Sequence, residues 1–76
     1  MNKDRRKRLA EIHDELDSIH TQLVDIRDEE QEAFDNMPES LQESERGQQA
    51  EQALSALDEA VSGCEEIMEL VELAQE

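Results

Sequence analysis

Phe34 is the only aromatic residue in a chain of 76 that has no tryptophan and no tyrosine. An aromatic-rich core is therefore excluded. One cysteine, Cys64, leaves no disulfide to reinforce the fold, and a reducing, cytoplasmic setting is expected. No apolar run approaches the roughly 20 residues that cross a bilayer, so no membrane contact is expected. The charged start from Asn2 to Arg8 leads into an amphipathic stripe rather than the apolar stretch of a signal peptide. Basic residues are nearly missing beyond Arg8: only Arg27 and Arg46 follow it, whereas every acid except Asp4 does. The formal charge of −15 opposes direct binding of DNA, RNA or anionic lipid and points to protein partners with basic surfaces.

Against these absences stand two stripes of helical period. Leu9, Ile12, Leu16, Ile19, Leu23 and Ile26 alternate three and four apart, and Ala50, Leu54, Leu57, Val61, Cys64, Met68 and Val71 repeat the pattern after one proline. Low hydropathy with high charge is also the composition of disordered segments. A helical phase held for about four heptads in each half argues against that reading. The expected fold is all-α: an antiparallel, coiled-coil-like two-helix hairpin, dimerising into a four-helix bundle. The single domain, residues 1–76, divides into a first helix over about 3–36, a turn over about 37–44 and a second helix over about 45–75.

In heptad terms, Leu9, Leu16, Leu23 and Met37 take position a of the first helix, and Ile12, Ile19, Ile26 and Ala33 take d. Glu30 also falls at a, so the seam loosens toward the turn. Asn36-Met37-Pro38 breaks the helix, because Pro38 disfavours helical geometry at Met37 and Asn36 suits a cap. Ser40 with Glu43 has capping-box spacing, and Ser44 is a second candidate cap. In the second helix Leu54, Val61 and Met68 take a, and Ala50, Leu57, Cys64 and Val71 take d. Ala53, Ala60, Ile67 and Ala74 add a flanking row, wider than one hairpin seam requires. A helical hairpin of this size reaches only about 3–5 kcal/mol of net stability. Self-association through Leu9, Ile12, Leu16, Ile19, Leu23, Ile26, Ala53, Ala60 and Ile67 into a homodimer or higher homo-oligomer is the expected remedy. Folding the helices back would also set Lys3, Arg5, Arg6, Lys7 and Arg8 beside Glu65, Glu66, Glu69, Glu72 and Glu76.

Few residues suggest chemistry. His13, Asp17 and His20 share a helix face at spacings of four and three, a weak zinc or copper pattern without an evident fourth ligand. If the two histidines flank a subunit contact, assembly would respond to pH. Cys64 occupies a seam position with no histidine nearby on its helix, which fits a packing role and no nucleophilic one. The twelve residues from Asp28 lack the glycine that a calcium loop needs at position six. A slender hairpin offers no dry pocket to tune a carboxylate pair, so no catalytic residue, metal or cofactor is expected.

The acids themselves are patterned. Glu51, Asp58, Glu65 and Glu72 recur every seven residues, about 10.5 Å apart, and Glu11, Asp14, Asp25, Asp28, Glu32 and Asp35 mark the first helix. Duplex DNA carries one charge per roughly 1.7 Å, so a bundle about 48 Å long would need about 28 charges to imitate it, near the total of two copies. Solvated helical faces usually mix Glu with Lys, and one-sign rows suggest recognition of a cationic surface. The leading expectation is a non-enzymatic inhibitor that occupies the nucleic-acid groove of another protein, through Asp25, Asp28, Glu32, Asp35, Glu51, Asp58, Glu65 and Glu72. The alternative is a homo-oligomeric scaffold or regulatory module that binds through its apolar, Ala-rich face.

The run from Asp28 through Phe34-Asp35-Asn36-Met37-Pro38-Glu39-Ser40-Leu41-Gln42, followed by Ser44-Glu45-Arg46, resembles a family of small acidic helical proteins often encoded by bacteriophages and prophages. The Pro-Glu-Ser-Leu-Gln turn is the most specific part of the resemblance, which extends loosely over nearly the whole chain. It implies a helical hairpin and a phage setting; the inhibitor expected above would, in that setting, act on a host defence or DNA-processing protein. It carries over no activity and no site residue.

Overall fold

A computed structural model describes residues 1–76 as three helices: α1 (Lys3–Asp35), α2 (Glu39–Gln42) and α3 (Glu45–Gln75). Asn2 caps α1, its Oδ1 accepting the Arg5 N–H at 2.8 Å, as short polar side chains do at helix starts. The helix closes where Asn36 N–H reaches the Glu32 carbonyl at 3.0 Å and Met37 N–H reaches that of Phe34 at 3.1 Å. Pro38 then takes an extended ψ of 147°, and its carbonyl accepts from Leu41 and Gln42 to start the single turn of α2. The capping box expected of Ser40 and Glu43 does not form, because Ser40 lies inside α2 and Glu43 ends it. Ser44 performs the capping instead: its Oγ accepts the Gly47 N–H and donates to the Leu41 carbonyl. Gln42 ties the turn to α1 by donating to the Phe34 and Met37 carbonyls at 3.0 and 3.2 Å.

α1 and α3 pack against each other in an elongated hairpin with extents of 58 × 14 × 12 Å. Their register is read from one edge, where residues 13, 20 and 27 of α1 meet 72, 65 and 58 of α3. Each seven-residue step forward on one helix is matched by seven back on the other, as antiparallel packing demands. The buried apolar side chains all belong to α3: Ala50, Leu54, Val61 and Cys64, at the a and d positions assigned above. Leu57, Met68 and Val71 continue that seam half-buried.

On α1 the seam differs from the expected one. Leu9, Leu16, Leu23 and Met37 are half-buried, but Ile12, Ile19 and Ile26 are 45%, 48% and 50% exposed, and Ala33 is exposed as well. The row that turns inward beside the leucines is position e: His13, His20, Arg27 and Phe34. The physical reason is the edge just described. Rotating α1 toward e sets three nitrogen-bearing side chains against three carboxylates of α3, and it brings Phe34 under the turn. The isoleucines are left on the flank.

The same register corrects a second expectation. It sets Leu9 level with Glu76, so Lys3 to Arg8 have no α3 carboxylate across from them. Within this cluster only Arg8 forms an ion pair, with Asp4 one turn away at 3.9 Å. Glu65 and Glu72 meet His20 and His13 instead.

Candidate functional site: two opposed faces

Antiparallel helices bring their e rows together along one edge. There His13 Nε2 lies 3.0 Å from Glu72 Oε1, His20 Nε2 lies 2.9 Å from Glu65 Oε1, and Arg27 Nη1 lies 3.6 Å from Asp58 Oδ1. Arg27 also reaches Asp28 at 3.2 Å. The α1 partners are each about a quarter to a third exposed, while the carboxylates stand mostly in solvent. Pairs of this kind contribute about 0–1 kcal/mol each. A double-mutant cycle on Arg27→Gln and Asp58→Asn, read by urea unfolding, is expected to give a coupling of about 0.2–1 kcal/mol; a coupling several times larger would mean a desolvated pair.

His13, Asp17 and His20 line an open groove with Glu65, Met68, Glu69 and Glu72. The two imidazoles are two turns apart, about 10.5 Å along the axis, and each Nε2 faces its own glutamate. No three His, Cys, Asp or Glu side chains converge as a metal site requires. Cys64 is buried, with its thiol 3.6 Å from the Leu16 carbonyl, a weak donor seated against backbone.

The acidic residues divide into two groups. Glu51, Asp58, Glu65 and Glu72 follow the helix–helix edge, whereas Asp25, Asp28, Glu32 and Asp35 lie on the outer surface of α1. Asp28, Asp58, Glu65 and Glu72 each meet an intramolecular basic group. Asp25, Glu32, Asp35 and Glu51 meet none, and Asp35 accepts only from the Gln31 amide at 2.9 Å.

The other flank of the hairpin is apolar. With α1 turned on its a/e rows and α3 on a/d, helix geometry sends the d row of α1 and the g row of α3 to the same side, opposite the paired edge. Ile12, Ile19 and Ile26 thus run beside Ala53, Ala60 and Ile67, all exposed. Of the expected interface residues, Leu9, Leu16 and Leu23 are absorbed by the hairpin's own seam, and the other six remain on this open side. Sequence reasoning missed the His13, His20 and Arg27 row, although its spacing of seven matches that of Glu51, Asp58, Glu65 and Glu72. It also missed Ala56, Gly63 and Leu70, which complete an uncharged stripe on α3.

The fold and these faces define an acidic helical hairpin with one apolar side, and no helix is long and apolar enough to cross a membrane. Comparison with protein-family models, curated proteins and solved structures finds no match to the chain.

Proposed function

We propose that the protein is a non-enzymatic interaction module that self-associates through its apolar side and offers its carboxylates to a basic surface on another protein. The observation that carries this reading is the opposition of the two faces: covering the isoleucine side leaves the acids outward. The mechanism is imitation of a nucleic acid's charge, with electrostatic steering and ion release from the partner's basic groove. Along the 58 Å of the hairpin, duplex density requires roughly 34 charges, and two copies supply about 30. The resemblance of residues 28–46 suggests a phage setting, and in that setting the basic partner is a host defence or DNA-processing protein inhibited by the mimic.

The test is affinity capture from nuclease-treated bacterial lysate with elution by salt, repeated with charge-reversed protein. Changing Asp58, Glu65 and Glu72 would also place a like charge against Arg27 and remove the carboxylates that His20 and His13 contact, which confounds binding with folding. Asp25→Lys, Glu32→Lys, Asp35→Lys and Glu51→Lys avoid that. Together they are expected to slow association with the captured partner by about 10- to 1,000-fold while helicity is retained. Unchanged binding would defeat the mimicry reading.

A second reading is favoured by the half-exposed Ile12, Ile19, Ile26 and Ile67. In it the apolar face engages the regulated partner directly, as a scaffold would. Binding would then tolerate salt and be lost in Ile67→Glu or Ala60→Glu.

A further inference from the structure

We propose that a second copy of this chain covers the apolar side, with α1 of each copy lying along α3 of the other. This deepens the self-association part of the reading above and rests on it. Three observations support the choice of occupant. The first is area. A compact chain of 8.7 kDa exposes about 4,700 Å², whereas this hairpin exposes 5765 Å². The excess of about 1,000 Å² is close to the roughly 800 Å² per partner that a stable interface buries.

The second observation is the pair of glycines. Gly47 is buried, and a Cβ there would strike the backbone of Gln42, so the turn itself explains it. Gly63 sits in mid-helix, and a Cβ there would meet nothing within 4 Å. Within one hairpin it only weakens α3 relative to alanine. It belongs instead to the stripe Ala53, Ala56, Ala60, Gly63, Ile67 and Leu70, whose alternating spacing of three and four is that of a second helix-packing seam. Small residues along such a seam admit a neighbouring helix closely.

The third observation is fit. The register sets Ile26 nearly level with Ala60 and Ile19 nearly level with Ile67. Rotation about an axis parallel to the helices keeps those levels, so large Ile26 of one copy meets small Ala60 of the other. Glu15 and Glu29, which flank the isoleucine row, then pass over uncharged Leu70 and Ala56. Stacking α1 on α1 would face those glutamates with each other. The result is a four-helix bundle with every neighbour antiparallel and the acidic edges outside.

The test uses the full chain. Sedimentation equilibrium of the native protein is expected to give a dimer. Gly63→Leu is expected to weaken it about tenfold or more, with helicity unchanged or raised because the single hairpin has room for the side chain. In a Cys64→Ala background, an Ile26→Cys chain mixed with an Ala60→Cys chain is expected to form a disulfide-linked heterodimer under mild oxidation. Homotypic Ile26→Cys bridges in its place would overturn the pairing. A helical monomer at high micromolar concentration, or a dimer indifferent to Gly63→Leu, would overturn the proposal. Capture of a basic partner and its salt dependence are scored separately, so failure of the dimer and failure of charge mimicry give different results.

Discussion

Leu54→Ala is expected to lower the unfolding free energy by about 2–5 kcal/mol, enough to leave an isolated hairpin of this size largely unfolded. Leu54 is 8% exposed and the largest of the four buried apolar side chains, the others being Ala50, Val61 and Cys64. With so small a core, the removed methyl groups are a large part of its apolar contact. The helices are held in register by little else, since the paired edge is half in solvent. Urea unfolding followed by far-ultraviolet circular dichroism, at matched protein concentration, measures the change. Leu73→Ala, at a site 61% exposed, serves as the comparison and is expected to stay within about 0.5 kcal/mol of the native protein. Equal losses in the two variants would mean that α3 does not bury the face described here.

Gly47→Ala is expected to cost about 1–3 kcal/mol, although alanine is the better helix former at an open helical site. The added Cβ would meet the carbonyl oxygen, carbonyl carbon and Cα of Gln42, backbone atoms with no rotamer through which to yield. α2 would have to lift from the start of α3. That movement would strain the Gln42 bonds to the Phe34 and Met37 carbonyls and the Ser44 cap. The same unfolding measurement checks the effect, and amide hydrogen exchange locates it. Protection is expected to fall first at Leu41 to Gln48. A neutral or stabilising Gly47→Ala would show that α2 is not held against α3. The contrast with Gly63, where a side chain enters free space, makes the two glycines an internal control for each other.

Much of this architecture is legible without coordinates. The break follows from Pro38, which cannot continue the ladder of α1, and Ser44 caps α3 as a polar side chain that satisfies a local backbone donor. The seam of α3 is equally local in origin. Its uncharged a and d rows include Ala50, Leu54, Val61 and Cys64, and nothing charged competes with them. Gly47 was ambiguous as a sequence feature, because a glycine in the first turn reads the same whether it meets open water or the backbone of Gln42.

The facing of α1 was not legible, and the reason lies in helix geometry. Successive residues turn by 100°, which puts row e about 40° to one side of row a and row d about 60° to the other. A modest rotation of α1 therefore exchanges Ile12, Ile19 and Ile26 for His13, His20 and Arg27 beside the same leucines. Hydropathy favours the isoleucines. What opposes them is not in α1 at all: it is the row Asp58, Glu65 and Glu72, roughly 30 to 60 residues away in the chain and adjacent only after the hairpin has closed. The sequence by itself determined two amphipathic helices, the place where they part and the one-sided charge of the chain. Tertiary structure alone decided which flank of α1 turns inward, which acids of α3 meet a histidine or arginine of α1, and that the isoleucines share an open side with the small residues of α3, because each depends on contacts between helices that no local pattern encodes.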